Sequence, residues 1–405
     1  MDLSVTLADI QAAAARIAGA VARTPTMLSR TLSERTGAAV YVKFENLQHT
    51  GAYKERGALN KLLLMEPEVR ARGVISASAG NHSQAVAFHS SRLGVPATIV
   101  MPSTTPTIKV SQTEGHGAEV ILHGEMFDDA QAEALRITED RGLTFVHPFD
   151  DLHVIAGQGT VALEMLEDAP AIDMLAVPIG GGGLIAGVGA AARALKPDIG
   201  LVGVQAELYP SMYAKFARQT LPCAGDTIAE GIAVKAPGML TAGIINQIVD
   251  DIVLVPEREI ERAISLLVEV EKTVAEGAGA TGLAALLAYP DRFRGRTVGL
   301  ILTGGNIDMH LLANVLLRNL ARSGRLTRLR ISLRDRPGAL AAVMKLFDEH
   351  KVNIVEVYHQ RIFTSLPAKD AAIDVECEAR DSSQLDRLGE ALHASGFALH
   401  PVAIE

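Results

Sequence analysis

Short apolar runs alternate with longer amphipathic segments along the chain from residue 74 onwards. The runs include GVISAS, PATIVM and AEVILH, and the segments between them, such as NHSQAVAFHSSRLG, carry apolar stripes at helical spacing. Glycine and proline mark the joins. This alternation predicts α/β structure with a parallel sheet, and a further helix is predicted to begin at Glu125.

A second series of the same kind begins near residue 150. Its apolar runs are DMLAVPI, GLVGVQ, DIVLVP and TVGLILT, and segments of helical length separate them. The series predicts a second wound parallel sheet. Residues 1–40 lie outside both series. Their pattern is helical from Leu7 to Val21, and we expect this segment to pack on the second sheet.

The pattern changes after Arg322, where the polar linker SGRLTR leads into a more charged stretch. There RLRISL, NIVEVYHQR, AAIDVECEA and ALHPVAI predict strands, while PGALAAVMKLFDEH and SSQLDRLGEALHAS predict helices. The resulting order, βαββαβ, is that of a ferredoxin-like module. We therefore predict three domains, formed by residues 1–45 with 147–322, by residues 46–146 and by residues 325–405.

Composition narrows the function classes. A chain of 405 residues suits two or three domains, and its formal net charge of −9 gives no basic footprint for nucleic acid or an anionic membrane. The first residues lack the pattern of a signal peptide, and no run approaches the roughly 20 apolar residues that span a bilayer. We expect a cytoplasmic protein. The two cysteines, Cys223 and Cys377, fit a reducing compartment and exclude a metal site built from cysteines.

Four consecutive glycines, residues 180–183, separate a predicted buried strand from an amphipathic helix. Backbone N–H groups can close around a phosphate at such a helix start, whereas the alternative is a flexible turn without a ligand. The identity of the phosphate stays open at this point. Gly181, Gly183 and Ala186 match the G-x-G-x-x-A spacing of a dinucleotide site, and Glu207 follows the next strand, so an NAD(P)-dependent dehydrogenase is one hypothesis.

Two further joins carry polar groups at the ends of predicted strands. SASAGNHSQA sets Ser78 to His82 at a strand-to-helix join, where backbone amides can receive a carboxylate. The alternative is that Ser78 or Asn81 caps the helix and His82 packs on it. ILTGGNID sets Thr303 at another strand end. TGAYKERGAL sets Lys54 in the first turn of an apolar helix with Thr50 as its expected cap, although the helix dipole disfavours a cation there.

Together, FENLQHTGAYKERGA, SASAGNHSQA, VPIGGGGLIAG and ILTGGNID resemble the motifs of pyridoxal-phosphate enzymes of the tryptophan-synthase-β fold type, and more narrowly those of threonine/serine dehydratases. The resemblance runs from about residue 5 to residue 320. The segment RDRPGALAAVMKLFDEHKVNIVEVYHQR resembles an ACT domain, the small amino-acid-sensing unit of many biosynthetic enzymes.

The resemblance implies pyridoxal 5'-phosphate as cofactor and Lys54 as the residue that attaches it. A partly buried lysine at a positive helix end is expected to have a lowered pKa, which suits it as nucleophile and then as base. Asn81 is implied to bond the 3′ oxygen, Tyr53 to pack against the ring, and Thr303 to face the pyridine nitrogen. The implied phosphate cradle is Gly180, Gly181, Gly182, Gly183 and Leu184. The implied receptor of the substrate carboxylate is Ser78, Ala79, Gly80, Asn81 and His82.

The implied reaction is elimination: L-threonine gives 2-oxobutanoate and ammonia, and L-serine gives pyruvate, with isoleucine biosynthesis as the expected setting. A neutral hydroxyl at position 303 cannot hold the ring nitrogen protonated, which favours elimination over transamination. Serine or hydroxyaspartate dehydratases and racemases share this scaffold. Related racemases carry a serine where this chain has Ala79, so racemisation is expected to be slow. Their divalent-cation site maps to Glu207, Ser211 and Tyr213, and we assign no metal.

In the ACT-like module, the turn DRPGAL is where related domains bind an amino acid. The implied effector residues are Asp335, Gly338 and Leu340, and a branched-chain amino acid is the expected effector. The alternative is a dimerisation module without a ligand, held by pairing of sheet edges. A homo-oligomer, dimer or tetramer, is expected in either case.

Overall fold

A computed structural model describes residues 4–362 and 366–401 of the chain. The chain folds as two compact units, residues 1–307 and residues 308–405. The strands are β1 (Thr26–Ser29), β2 (Ala39–Phe44), β3 (Val74–Ala77), β4 (Ala97–Met101), β5 (Glu119–Leu122), β6 (Thr144–Phe145), β7 (Met174–Pro178), β8 (Gly200–Ala206), β9 (Asp251–Val255), β10 (Thr297–Leu302), β11 (Leu326–Arg334), β12 (Asn353–Gln360), β13 (Asp370–Glu378) and β14 (Ala398–Pro401).

The α-helices alternate with these strands through the first unit. They are α1 (Leu7–Ile17), α2 (Arg30–Thr36), α3 (Lys54–Leu64), α4 (Pro67–Arg72), α5 (Asn81–Arg92), α6 (Thr107–Gly115), α7 (Phe127–Arg141), α8 (Leu152–Asp168), α9 (Gly183–Leu195), α10 (Ser211–Phe216), α11 (Met239–Ile248), α12 (Glu257–Leu266), α13 (Gly277–Ala288), α14 (Pro290–Phe293), α15 (Met309–Arg322), α16 (Ala339–Glu349) and α17 (Ser382–Ala394). Among the described residues, none of these helices is long and apolar enough to cross a membrane.

The first unit contains two sheets, as the two apolar series predict. One has four parallel strands in the order β5-β4-β3-β6, and the other has six in the order β1-β2-β10-β7-β8-β9. Only β1, paired antiparallel with β2, breaks the parallel arrangement of the six-stranded sheet. Every residue of β3, β4 and β7 is buried, as expected for parallel strands covered by helices on both faces.

The amino-terminal segment joins the six-stranded sheet more closely than its pattern predicts. Helix α1 packs on α8, and β1 and β2 extend the sheet itself, although neither strand is evident from the sequence pattern. The predicted helix from Leu7 to Val21 is too long, because α1 ends at Ile17 and Gly19 adopts a φ of 73°. That positive φ favours glycine and leaves the helical region.

The second unit has the predicted order of strands and helices, preceded by α15. Its four antiparallel strands lie in the order β12-β13-β11-β14, and α16 and α17 cover an apolar core that includes Ile331, Phe347 and Ile373. This is the predicted βαββαβ arrangement of a ferredoxin-like module. Strand β14 is described only to residue 401, so the remainder of the predicted strand ALHPVAI lies outside the described residues.

Candidate active site

Both sheets of the first unit reverse their strand order at the motifs singled out above. In the smaller sheet, β4 and β5 lie on one side of β3 and β6 lies on the other. In the larger sheet, β8 and β9 lie on one side of β7 and β10 lies on the other. Open parallel sheets bind ligands at the carboxyl ends of strands where the order reverses. Residues 78–82 follow β3, residues 180–183 follow β7, and Thr303 follows β10.

Lys54 is the first residue of α3, and its position is fixed from the end of β10. The Tyr53 amide donates to the Thr303 carbonyl oxygen at 3.0 Å, and Ala52 forms an antiparallel bridge with Gly304. Thr50 is not the helix cap that the sequence predicts, since Tyr53 occupies the N-cap position without a side-chain hydrogen bond. Instead, the Thr50 amide donates to the Glu55 carboxylate. The start of α3 is thus tied to the switch point of the larger sheet.

The Lys54 side chain is partly buried and points to the segment after β6. Its Nζ donates to the Pro148 carbonyl oxygen at 2.8 Å and lies 5.4 Å from the centre of the Tyr53 ring. Burial lowers the pKa of Lys54 to about 8, and the negative charge of Glu276 opposes this shift. A lowered pKa of Lys54 is what the sequence predicts, and burial is its main cause. Near pH 7, about a tenth of this amine is therefore unprotonated and nucleophilic, far more than for an ordinary lysine.

Asn81 begins α5 and connects the two sheets through its side chain. Its Nδ2 donates to Glu276 Oε1 at 2.7 Å, and its Oδ1 accepts from Asn306 Nδ2 at 2.8 Å. The Glu276 amide in turn donates to the Gly304 carbonyl oxygen at 3.0 Å. Burial raises the pKa of Glu276 to about 7, against the hydrogen bond from Asn81. A carboxyl group that titrates near neutrality therefore lies in the same electrostatic environment as Lys54.

The amides at the start of α5 divide into paired and unpaired groups. The Ser78 amide donates to the Val100 carbonyl oxygen, and the Gly80 amide donates to Ser78 Oγ at 3.2 Å. Within the described residues, the amides of Ala79, Asn81 and His82 have no hydrogen-bond partner. The cap of α5 is Gly80, without a side-chain hydrogen bond, so the capping alternative for Ser78 and Asn81 is wrong. The unpaired amides are suited to an anion such as a carboxylate.

His82 is buried beneath this helix start. Its Nε2 donates to the Val146 carbonyl oxygen at 3.0 Å, and burial lowers its pKa to about 3, so the ring is neutral near pH 7. Because Nε2 carries the proton, Nδ1 is an acceptor, and it is buried with no partner among the described residues. The positive charge of Lys54 also contributes to the lowered pKa of His82.

The glycine run between β7 and α9 has no room for side chains. A Cβ atom at Gly181 would lie 2.3 Å from the Phe149 ring. Gly182 has a φ of 97°, and a Cβ there would lie 2.8 Å from Ile245. The loop is anchored by Thr241, whose Oγ1 donates to the Gly181 carbonyl oxygen at 2.6 Å. Among the described residues, the amides of residues 180–184 have no hydrogen-bond partner, so the loop can hold a phosphate.

These groups fit a cofactor with an aldehyde and a phosphate. The donor set contains a partly unprotonated lysine amine, a loop of unpaired amides at a helix start, and a second set of unpaired amides. Residues 78–82, 180–184 and 303 lie just after the carboxyl ends of strands, whereas Tyr53 and Lys54 lie at the start of α3, and all of them belong to one unit. The sequence analysis missed Pro148, Glu276 and Asn306. Two features of the sequence could have pointed to these residues. Asn306 lies in the segment ILTGGNID, and Glu276 precedes a glycine-rich helix start.

The proposed effector residues lie in the second unit, at the turn between β11 and α16. Gly338 has a φ of 87° at the N-cap of α16, Asp335 forms an ion pair with Arg361 at 3.1 Å, and Leu340 is exposed. For a metal, the described residues contain no group of three or more His, Cys, Asp or Glu side chains placed to hold one.

Comparisons with known proteins agree with this geometry. The family model described as "Pyridoxal-phosphate dependent enzyme" matches residues 17–304, and the ACT domain model matches residues 327–395. The L-threonine ammonia-lyase of Thermotoga maritima is 44% identical over 98% of this chain and 100% of its own length. The processed form of threonine deaminase isoform 2 from Solanum lycopersicum superposes with a TM-score of 0.73 and 35% identity, over 78% of this chain and 87% of that one. Maize serine racemase gives a TM-score of 0.73 and 34% identity, over 79% and 99%.

Proposed function

The chain belongs to the pyridoxal-phosphate-dependent enzymes and carries an ACT domain, and from this premise we propose that it is a threonine ammonia-lyase. It converts L-threonine to 2-oxobutanoate and ammonia, and also L-serine to pyruvate. Similarity to the Thermotoga maritima L-threonine ammonia-lyase over nearly the whole chain supports this substrate choice. The family match over residues 17–304 includes the glycine loop, which favours pyridoxal phosphate over a dinucleotide as the ligand of this loop.

Lys54 is the residue that holds the cofactor in this proposal. Pyridoxal phosphate, when bound, withdraws electrons from the amino acid and makes its Cα proton acidic. The amides of Gly180, Gly181, Gly182, Gly183 and Leu184 hold the phosphate, and Tyr53, Asn81 and Thr303 contact the ring. The Thr303 side chain is a neutral hydroxyl, which does not stabilise a protonated ring nitrogen. Elimination is therefore favoured over transamination.

The substrate is held by the start of α5 and deprotonated by Lys54. The amides of Ala79, Asn81 and His82, which lack partners among the described residues, bind its carboxylate, with Ser78 and Gly80 shaping the loop. A Lys54 amine with a pKa of about 8 accepts the Cα proton at Nζ. The β-hydroxyl then departs as water, with a proton that balances the one taken from Cα, and the enamine that is left reacts with water to give ammonia and the keto acid.

The partly buried Lys54 amine beside the Pro148 carbonyl oxygen carries this proposal, and its removal is the test. We expect Lys54→Ala to abolish 2-oxobutanoate formation from threonine and borohydride-stable attachment of the cofactor, measured by mass spectrometry of the reduced protein. Lys61→Ala is the matched control, since Lys61 lies on the same helix and pairs with Asp151. It should keep the attachment at Lys54. Substantial turnover by Lys54→Ala would contradict the assignment.

Racemisation is the second candidate, because maize serine racemase is among the similar structures. Position 79 decides between the two activities in this proposal, since alanine has no group that can return a proton to the opposite face. Incubation with L-threonine, L-serine and 3-hydroxyaspartate, followed by keto-acid and chiral amino-acid analysis, compares them directly. We expect keto acids in large excess over D-amino acids.

We further propose that the ACT domain binds a branched-chain amino acid through Asp335, Gly338 and Leu340 and thereby regulates the enzyme. An exposed Leu340 and the positive φ of Gly338 at the start of α16 support a ligand-binding turn there. The enzyme is proposed to be cytoplasmic, to act in isoleucine biosynthesis and to assemble as a homo-oligomer, dimer or tetramer. Thermal shift measurements with isoleucine, valine and leucine test the binding of an effector. Sedimentation velocity tests the oligomeric state.

A further inference from the structure

Four charged side chains form a cluster at the first turn of α3 that the proposed reaction does not use. They come from β2, from the turn that follows it, from α3 and from α8. Their formal charges cancel, two positive and two negative. The members are Lys43, Glu45, Arg56 and Glu164. The first three side chains have no exposed surface, and the fourth is partly buried.

Arg56 lies at the centre of this cluster and is clamped between two carboxylates. Its Nε and one terminal nitrogen donate to the two oxygens of Glu45, each at 2.8 Å. Its terminal nitrogens also donate to the two oxygens of Glu164 at 2.7 and 2.8 Å. Lys43 Nζ donates to Glu164 as well, at 2.6 Å. The planar guanidinium suits such double forks, and a lysine ammonium at this position could not reproduce both of them.

Arg56 and Lys54 project from opposite sides of the same helical turn. Two residues of an α-helix correspond to a rotation of about 200°. The hydrogen bonds that hold Arg56 on one side of α3 therefore also fix the direction in which Lys54 projects on the other side. Glycines bring the neighbouring helix close at this point. A Cβ atom at Gly57 would lie 2.8 Å from the Val154 carbonyl oxygen, and one at Gly157 would lie 2.5 Å from the Arg56 carbonyl oxygen. The first turn of α3 is therefore pressed against α8 and cannot rotate freely.

Stability alone does not account for this arrangement. Neutral residues of similar volume often replace a buried ion pair with no loss of stability, because the charges cost desolvation free energy. We propose that Arg56 is a positioning residue for the reaction: its two carboxylate forks fix the first turn of α3, so that the Lys54 amine stays beside the Pro148 carbonyl oxygen. The inference rests on the proposed function, since it takes Lys54 as the residue that attaches the cofactor.

Arg56→Lys separates charge from geometry, because it keeps one positive charge and loses the double fork. We expect the full-length variant to fold and to bind pyridoxal phosphate about tenfold more weakly, as measured by equilibrium titration. We also expect the pH midpoint of cofactor attachment to rise from near 8, because an amine that moves towards water regains its ordinary pKa. Lys61→Arg, at the other end of α3, is the matched control and should change neither quantity.

Each outcome bears on the proposal. A lower melting temperature with unchanged cofactor affinity and pH midpoint would mean a purely structural role and would overturn it. If Arg56→Lys does not fold, Glu164→Gln decides, because it leaves the Arg56–Glu45 fork intact and should shift both quantities in the same direction by a smaller amount. Unchanged values in that variant would also overturn it. Attachment of the cofactor somewhere other than Lys54 in the parent protein would instead refute the proposed function itself.

Discussion

At the residue scale, the site depends on two groups whose pKa values burial moves in opposite directions. Burial lowers the pKa of Lys54 to about 8 and raises that of Glu276 to about 7. Both shifts disfavour the charged form, as removal from water requires. The lysine therefore loses its proton gradually as pH rises through 8. Glu276 is largely ionised there, and its charge favours the protonated lysine.

Removing the Glu276 charge should make Lys54 easier to deprotonate. We expect the rate of cofactor attachment to the cofactor-free chain to rise with pH around a midpoint near 8, and Glu276→Gln to move that midpoint to lower pH. Stopped-flow absorbance across a pH series measures both. Glu349→Gln, which alters an exposed carboxylate in the second unit, is the control. A midpoint that rises in Glu276→Gln would contradict the electrostatic coupling.

Local patterns in the sequence predicted Asn81 and Thr303, which stand beside glycines just after strand ends, and Lys54, which stands in the first turn of a helix. They could not predict Glu276, because its contact with Asn81 joins positions 195 residues apart and no spacing rule connects them. Pro148 was equally inaccessible. It acts through its backbone oxygen, which any residue possesses, so its side chain leaves no signal in the sequence.

At the element scale, the question for the loop between β7 and α9 is why it needs its glycines. Either neighbouring side chains leave no room for a Cβ atom, or the loop only has to be flexible. Gly181→Ala would push a methyl group into the Phe149 ring, so we expect about tenfold weaker binding of pyridoxal phosphate, measured by titration. Gly243→Ala in α11 is the control, because a Cβ there meets nothing within 4 Å and alanine favours helix. Equal affinity in Gly181→Ala and the parent would argue for a merely flexible turn.

The buried strands could be predicted well from the sequence and the edge strands could not. The runs that became β3, β4, β7 and β10 are continuous and apolar because helices cover both faces. Strand β1 lies at the edge of its sheet with Met27 and Leu28 exposed, so its pattern lacks the usual contrast. Strand β6 has only two residues. It nevertheless lies on the far side of β3 from β4, so the strand order of the smaller sheet reverses at β3.

At the scale of the whole molecule, the two compact units each have a core of their own. The order of strands and helices in the second unit followed from its hydrophobic pattern. The predicted domain boundaries, with residues 309–322 in the large cofactor-binding domain, stay a prediction. By Cα distances, helix α15 groups with the second unit. A polar linker such as SGRLTR shows where the residue composition changes. Which unit a neighbouring helix belongs to depends instead on its tertiary contacts, which cannot be read from the sequence.

Two buried phenylalanines allow the units to be perturbed separately. Phe347 in the second unit and Phe293 in the first are both fully buried, and truncation of either to alanine should cost about 3–5 kcal/mol of the free energy of unfolding. We expect Phe347→Ala to lower one melting transition and to remove any response to branched-chain amino acids. Cofactor attachment at Lys54 should persist in this variant, because none of the residues proposed to hold the cofactor belongs to that unit.

Phe293→Ala provides the matched comparison, with the same truncation in the other core. It should lower the transition that is followed by the absorbance of the bound cofactor and leave the second transition in place. Differential scanning calorimetry and cofactor absorbance, recorded on both variants, distinguish the two cases. A single transition lowered equally by both substitutions would mean that the units unfold as one cooperative body. In that case the amino-acid response and the site chemistry could not be separated by core truncation, and the assignment of regulation to the second unit would lose this support.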